Sequence, residues 1–126
     1  MATGWTTPPT LFAEQIESEI ATRVRVIAMA MLNEITLRSP VDTGRFRGNN
    51  IVSIGAPVFS QSTNVDPTGS ATISAGLNAL TGLEPFTVVY IQNNLPYAER
   101  LENGWSDQAP GGVYGLAFIG VSEAYK

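Results

Sequence analysis

The 126 residues contain no cysteine and no histidine, and the single lysine is Lys126. Without thiolate or imidazole there is no zinc site built on those ligands, no cysteine nucleophile and no histidine-dependent triad. The same count rules out disulfides, which leaves the redox compartment open. Positive charge is also scarce. Seven basic residues stand against 11 acidic ones, for a formal charge of -4, and the arginines are spread along the chain. A nucleic-acid grip needs clustered cations to displace counterions from phosphates, so a dedicated DNA- or RNA-binding role is not expected. No apolar run approaches the roughly 20 residues of a membrane span. No basic stretch leads into an apolar one near Met1, so the expectation is a soluble chain, not exported by a cleaved signal.

What is left for catalysis is carboxylates, hydroxyls and one amine. The best pair is Glu99 and Glu102, which could in principle act on a glycosidic bond. They lie three apart on a short helical stretch with Arg100 between them, and nothing in that setting lifts one pKa to make a general acid. Glycine-rich fragments lack the lysine of a phosphate loop. The sequence therefore predicts a protein that is not an enzyme, with no cofactor and no metal.

The chain length fits one domain able to bury a core without staples. Met1 to Pro9 reads as an N-terminal arm, and residues 10–126 as a single domain. Phe12, Ile16, Ile20, Val24, Ile27, Met31 and Ile35 recur every three or four residues, which predicts a helix from about Thr10 to Arg38. Ala13, Ala21, Ala28 and Ala30 raise its propensity. Such a helix runs about 42 Å, longer than a compact domain of this size is wide, so part of it is expected to meet another subunit. Pro40 ends it. Asp42-Thr43-Gly44 is turn chemistry, followed by an alternating Arg45-Phe46-Arg47 and a strand over Asn50–Ile54. Residues 55–69 are rich in Ser, Thr, Asn, Pro and Gly, with Val58, Phe59 and Val65 as the large apolar residues. Their length suggests a loop that becomes ordered on a partner. Asp66-Pro67 caps a helix over Ser70–Leu83, Phe86–Gln92 reads as a strand, and Val113–Tyr125 as a closing helix.

The densest stretch is Tyr90 to Gly112. Asn93-Asn94 stops a strand, Pro96 suits the first turn of a short helix, and Tyr97 and Leu101 share one of its faces. Gly104 supplies a left-handed terminator, and Trp105 then places an indole beside a Pro/Gly loop as a core lid or an interface anchor.

Two stretches together resemble the minor tail or tail-completion proteins at the neck of long-tailed bacteriophages, similar in kind to the lambda-type tail protein Z. The first is Ser39-Pro40-Val41-Asp42-Thr43-Gly44-Arg45-Phe46-Arg47. The second is Tyr90-Ile91-Gln92-Asn93-Asn94-Leu95-Pro96-Tyr97-Ala98, with Leu101-Glu102-Asn103-Gly104-Trp105-Ser106 and Gln108-Ala109-Pro110. The similarity spans roughly residues 10 to 120. It implies an α+β fold, with a long N-terminal helix packed on a small antiparallel sheet and additional short helices. It also implies a virion structural protein, assembled in the host cytoplasm, that forms a homo-oligomeric ring between head connector and tail. Its partners would be its own copies, the connector, the tail terminator and the tube. DNA would pass through without specific binding, which net acidity suits. Membranes play no part. Asp42, Arg45, Arg47, Phe59, Tyr97 and Trp105 are the candidate subunit-interface residues. A tail terminator or tube component is the alternative within the class, and a small ligand-binding module using the 55–69 loop is the alternative outside it.

Overall fold

The computed structural model describes residues 9–41 and 43–125. The arm expected before the first helix lies outside the described residues, except that Pro9 opens the helix itself. Helix α1 runs Pro9–Arg38. Ser39 closes it: its hydroxyl donates back to the Ile35 carbonyl at 2.6 Å, and Pro40 prevents continuation. A 3₁₀ turn, Arg47–Asn49, leads into strand β1, Asn50–Ile54. Helix α2 spans Ser70–Ala79, strand β2 Val89–Asn93, helix α3 Ala98–Glu102 and helix α4 Tyr114–Ala124. The architecture is α+β, as expected, and its two strands pair antiparallel with Asn50 opposite Asn93 and Ile54 opposite Val89. Among the described residues, no helix is long and apolar enough to cross a membrane.

Helix α1 supplies both halves of the core. Ala28 and Leu32 meet Val52 of β1 and Leu80 beyond α2, while Ile35 meets Phe46, Leu95, Ala109, Val113 and Ala117. This face is rotated from the stripe expected from the sequence. Ala21, Ala28, Leu32 and Ile35 are buried, whereas Val24, Ile27 and Met31 sit half-buried at its edge and Phe12 and Ile16 are exposed. Small residues explain the rotation, because they let backbones close in. A methyl group at Gly76 of α2 would collide with Leu32 Cδ2, so with any other residue there Leu32 must shift from its buried place between the helices. Its buried side is accordingly Thr72 and Gly76, with Leu80 following, and Leu77 is exposed.

Two expected strand segments are turns instead. Arg45-Phe46-Arg47 does not alternate as a strand, because Gly48 N–H donates to Gly44 and Asn49 N–H to Phe46, which winds the segment into helical turns. Phe86 adopts φ +64° in a turn with Pro85, and β2 starts only at Val89. The 55–69 segment, expected as a loop that becomes ordered on a partner, is strapped down within the chain by side-chain amides. Asn94 donates to the Val58 and Ser60 carbonyls, Gln92 accepts from Val58 N–H, and Asn49 both donates to and accepts from Ser62.

A candidate interface where the two signature stretches meet

The two stretches that carry the family resemblance lie far apart in the chain, and one side chain clasps them together. Val41 N–H donates to Gln108 Oε1 at 2.8 Å, and Gln108 Nε2 donates back to the Val41 carbonyl at 3.2 Å. A primary amide can do both because it carries donor and acceptor on adjacent atoms. Glycines shape the approach. Gly44 takes φ +90° and Gly104 φ +84°, and a Cβ added at either would collide with backbone, Pro67 N in the first case and the Pro110 carbonyl oxygen in the second. Gly104 thus ends α3 in the left-handed conformation the sequence suggested.

Between the clasped stretches lies a cleft of 640 Å³ lined by Pro40, Thr43, Arg45, Phe46, Tyr97, Leu101 and Trp105. Three candidate interface residues, Arg45, Tyr97 and Trp105, therefore share one concavity. Tyr97 packs on the buried Phe46 ring with centroids 6.2 Å apart. Trp105 does not serve as a core lid within this chain: 72% of it is exposed, and the Arg100 guanidinium sits 5.2 Å from its ring centroid. That cation–π contact orients the indole at the surface instead of drawing it inward.

The other candidates are placed differently. Arg47 is half-buried and bonded within the chain, donating to the Pro67 carbonyl at 2.8 Å and the Ser39 carbonyl at 2.9 Å, so it ties the end of α1 to the turn before α2. Arg45 reaches the Ser62 carbonyl at 3.5 Å. Phe59 stands away from the cleft at the strapped loop, 79% exposed. Asp42 lies outside the described residues. Arg38 and Glu34, one turn apart on α1, form an exposed ion pair away from the cleft.

Behind the cleft is a buried polar hub with no counterpart in the sequence reading. Asn50 spends its full hydrogen-bonding capacity there. Its Nδ2 donates to Ser39 Oγ at 3.0 Å and the Arg47 carbonyl at 3.3 Å, and its Oδ1 accepts from Asn93 Nδ2 at 3.1 Å and Tyr114 Oη at 2.8 Å. One side chain thereby links the end of α1, both strands and α4. Burial, with the Glu102 carboxylate adding to it, pushes the Tyr114 hydroxyl well above its ordinary pKa and keeps it a donor. The visible signal is two asparagines that the register sets opposite each other, Asn50 and Asn93; on sequence Asn50 reads as the start of a strand and Asn93-Asn94 as turn chemistry.

Glu102, considered above only as a carboxylate pair with Glu99, has a different place in the structure. It is half-buried, and its carboxylate accepts from the backbone N–H groups of Val113, Tyr114 and Gly115 at 3.0, 2.7 and 2.9 Å. It caps α4 from another helix, which satisfies orphan donors and complements the helix dipole. Asp66 does the same for α2 by accepting from Thr72 N–H at 2.8 Å and Thr72 Oγ1 at 2.7 Å. Burial raises its pKa, and the hydrogen bonds from Thr72, Ala71 and Gly69 outweigh that and hold it below 3.8. Both carboxylates are thus committed to backbone donors. Among the described residues no three acidic side chains gather in a metal-binding cluster. What the cleft offers is aromatic surface beside a cation, which is chemistry for docking. No family model matches the chain, and neither the curated proteins nor the solved structures compared with it include a match.

Proposed function

We propose that this chain is a structural protein of the bacteriophage neck, completing the tail and joining it to the head as a ring of identical subunits around the DNA channel. The observation that carries the reading is uncovered apolar surface on a chain whose core is already built. Trp105, Phe59, Phe86, Phe118 and Ile119 are all more exposed than buried, the last two side by side on α4 and the others in three different connecting segments. Exposed apolar side chains that gather beside one another or beside a groove, as Phe118 and Ile119 do on α4, mark protein–protein contacts, and a subunit covered on several sides requires them. The resemblance of the 39–47 and 90–110 stretches supplies the place of assembly. The formal charge of -4 suits a lining that must let DNA slide without holding it.

The test is to look for this polypeptide in purified virions, with a label at Lys126 located by electron microscopy. A ring of label at the head–tail junction is expected. In parallel, Arg45→Ala is expected to leave a folded monomer but produce unjoined heads and tails, because its side chain faces the cleft and lies outside the core. Particles that lack the polypeptide would remove the proposal.

A further inference from the structure

A second concavity, unrelated to the signature cleft, opens between α1, β2 and α4. Val24, Ile27 and Met31 of α1, Ile91 of β2, and Phe118 and Val121 of α4 line its 450 Å³, and no charged side chain enters it. Phe118 is 63% exposed there, so an apolar wall faces solvent. The volume would accommodate several aliphatic side chains.

The same chain carries a surface of the kind that would fill it. Every residue from Thr10 to Glu19 is exposed, including Leu11 at 52% and Ile16 at 40%. This part of α1 projects beyond the body. It cannot turn back into the groove of its own chain, because Val24 on the groove wall belongs to the same continuous helix, eight residues and about 12 Å along the axis from Ile16. Charge matches as well. The projecting turns carry Glu14, Glu17 and Glu19 with no basic residue among them. Arg23 and Arg25 flank Val24, one donating to the Tyr125 carbonyl beside α4 and the other to the Leu80 carbonyl on the opposite side.

We infer that the groove between α1, β2 and α4 seats the projecting first turns of α1 from a second copy of this chain. Leu11 and Ile16 enter the apolar concavity, and the glutamates meet the two arginines at its mouth. Donor and acceptor are different surfaces, so the contact is head-to-tail and its repetition closes a ring where the rotation per subunit allows. The inference rests on reading the chain as a self-assembling neck protein, and it specifies which surfaces meet.

The absence of native cysteine makes the test clean. The full-length Ile16→Cys/Phe118→Cys variant, treated at high concentration with a short bis-maleimide, is expected to give a ladder of dimers, trimers and larger species. Mixing the two single variants is expected to give dimers alone, and each single variant by itself to give none. Both positions are exposed, so the melting temperature should match that of the unmodified protein. No intermolecular product, or dimers from either single variant alone, overturns the contact. A ladder from a protein missing from virions would retain the contact and remove the neck assignment. A virion ring without a ladder would do the reverse.

Discussion

The two ends of α1 are built from similar residues and live in opposite circumstances. From Ala28 onward one face of the helix is buried by both halves of the core, and its end is tied at Ser39 by the Asn50 hub and the Arg47 guanidinium. From Thr10 to Glu19 every residue is exposed. Helical propensity does not separate them, since an isolated helix of this length is marginal in water and tertiary packing decides. The far end is fold; the near end is surface that the fold holds out.

The sharpest way to break this contrast is at the hub. Asn50→Leu keeps the volume and removes both donors and the acceptor, leaving Tyr114 Oη, Asn93 Nδ2 and Ser39 Oγ short of partners. A loss of about 3 kcal/mol is expected from chemical denaturation. A loss below about 0.5 kcal/mol would mean that the hub is incidental.

A smaller effect is expected on the acid side. Asp66 has its folded pKa below its ordinary 3.8, so the unfolded chain takes up its proton first as pH falls. The stability it contributes is fully present above about pH 4 and is lost as pH drops through the folded value. Asp66→Asn is expected to flatten that acid limb and to cost about 1 kcal/mol at neutral pH, as loss of a helix cap does. Tyr114 acts in the opposite direction. Its pKa is raised, so its contribution is complete below about pH 10 and declines as pH rises through the folded value, which Tyr114→Phe would abolish. Melting temperature against pH checks both.

The smallest effect is expected at the projecting end. Ile16→Gln should change the stability of the monomer by less than about 0.5 kcal/mol, the range for surface substitutions. Hydrogen exchange along α1 provides the same comparison in one experiment: fast amides over 10–19 and protection approaching the global value over 28–38. Uniform protection of the isolated chain would erase the distinction between the two ends.

Most of the helices and both strands were legible in the sequence because they depend on local rules, whereas the helical turns over 45–49 were not. The apolar period named α1, paired valines and Asn93-Asn94 bounded β2, and Gly104 marked the end of α3. The buried face of α1 was not legible. Ala21 and Ala28 read as helix formers, whereas their use is close approach, and Leu32 is buried by a glycine on another helix. At the candidate interface, the chemistry of Arg45, Tyr97 and Trp105 was readable, and the cleft now joins them. The Gln108 clasp, the Glu102 cap and the Asn50 hub were hidden because each joins residues more than ten positions apart, a distance that no periodicity reports.

The cross-bracing of this chain is performed mostly by side-chain amides: Asn49, Asn50, Gln92, Asn93, Asn94 and Gln108 occupy the role that cystines or ion pairs fill elsewhere. Amides neither oxidise nor ionise, and a neutral contact of this kind is not screened by salt. With no imidazole to titrate near neutrality, the brace is blind to redox potential, ionic strength and mid-range acidity alike. A particle built on it would carry the same rigidity from one fluid to the next, and the solvents suited to loosening it are those, like urea, that compete for amides directly.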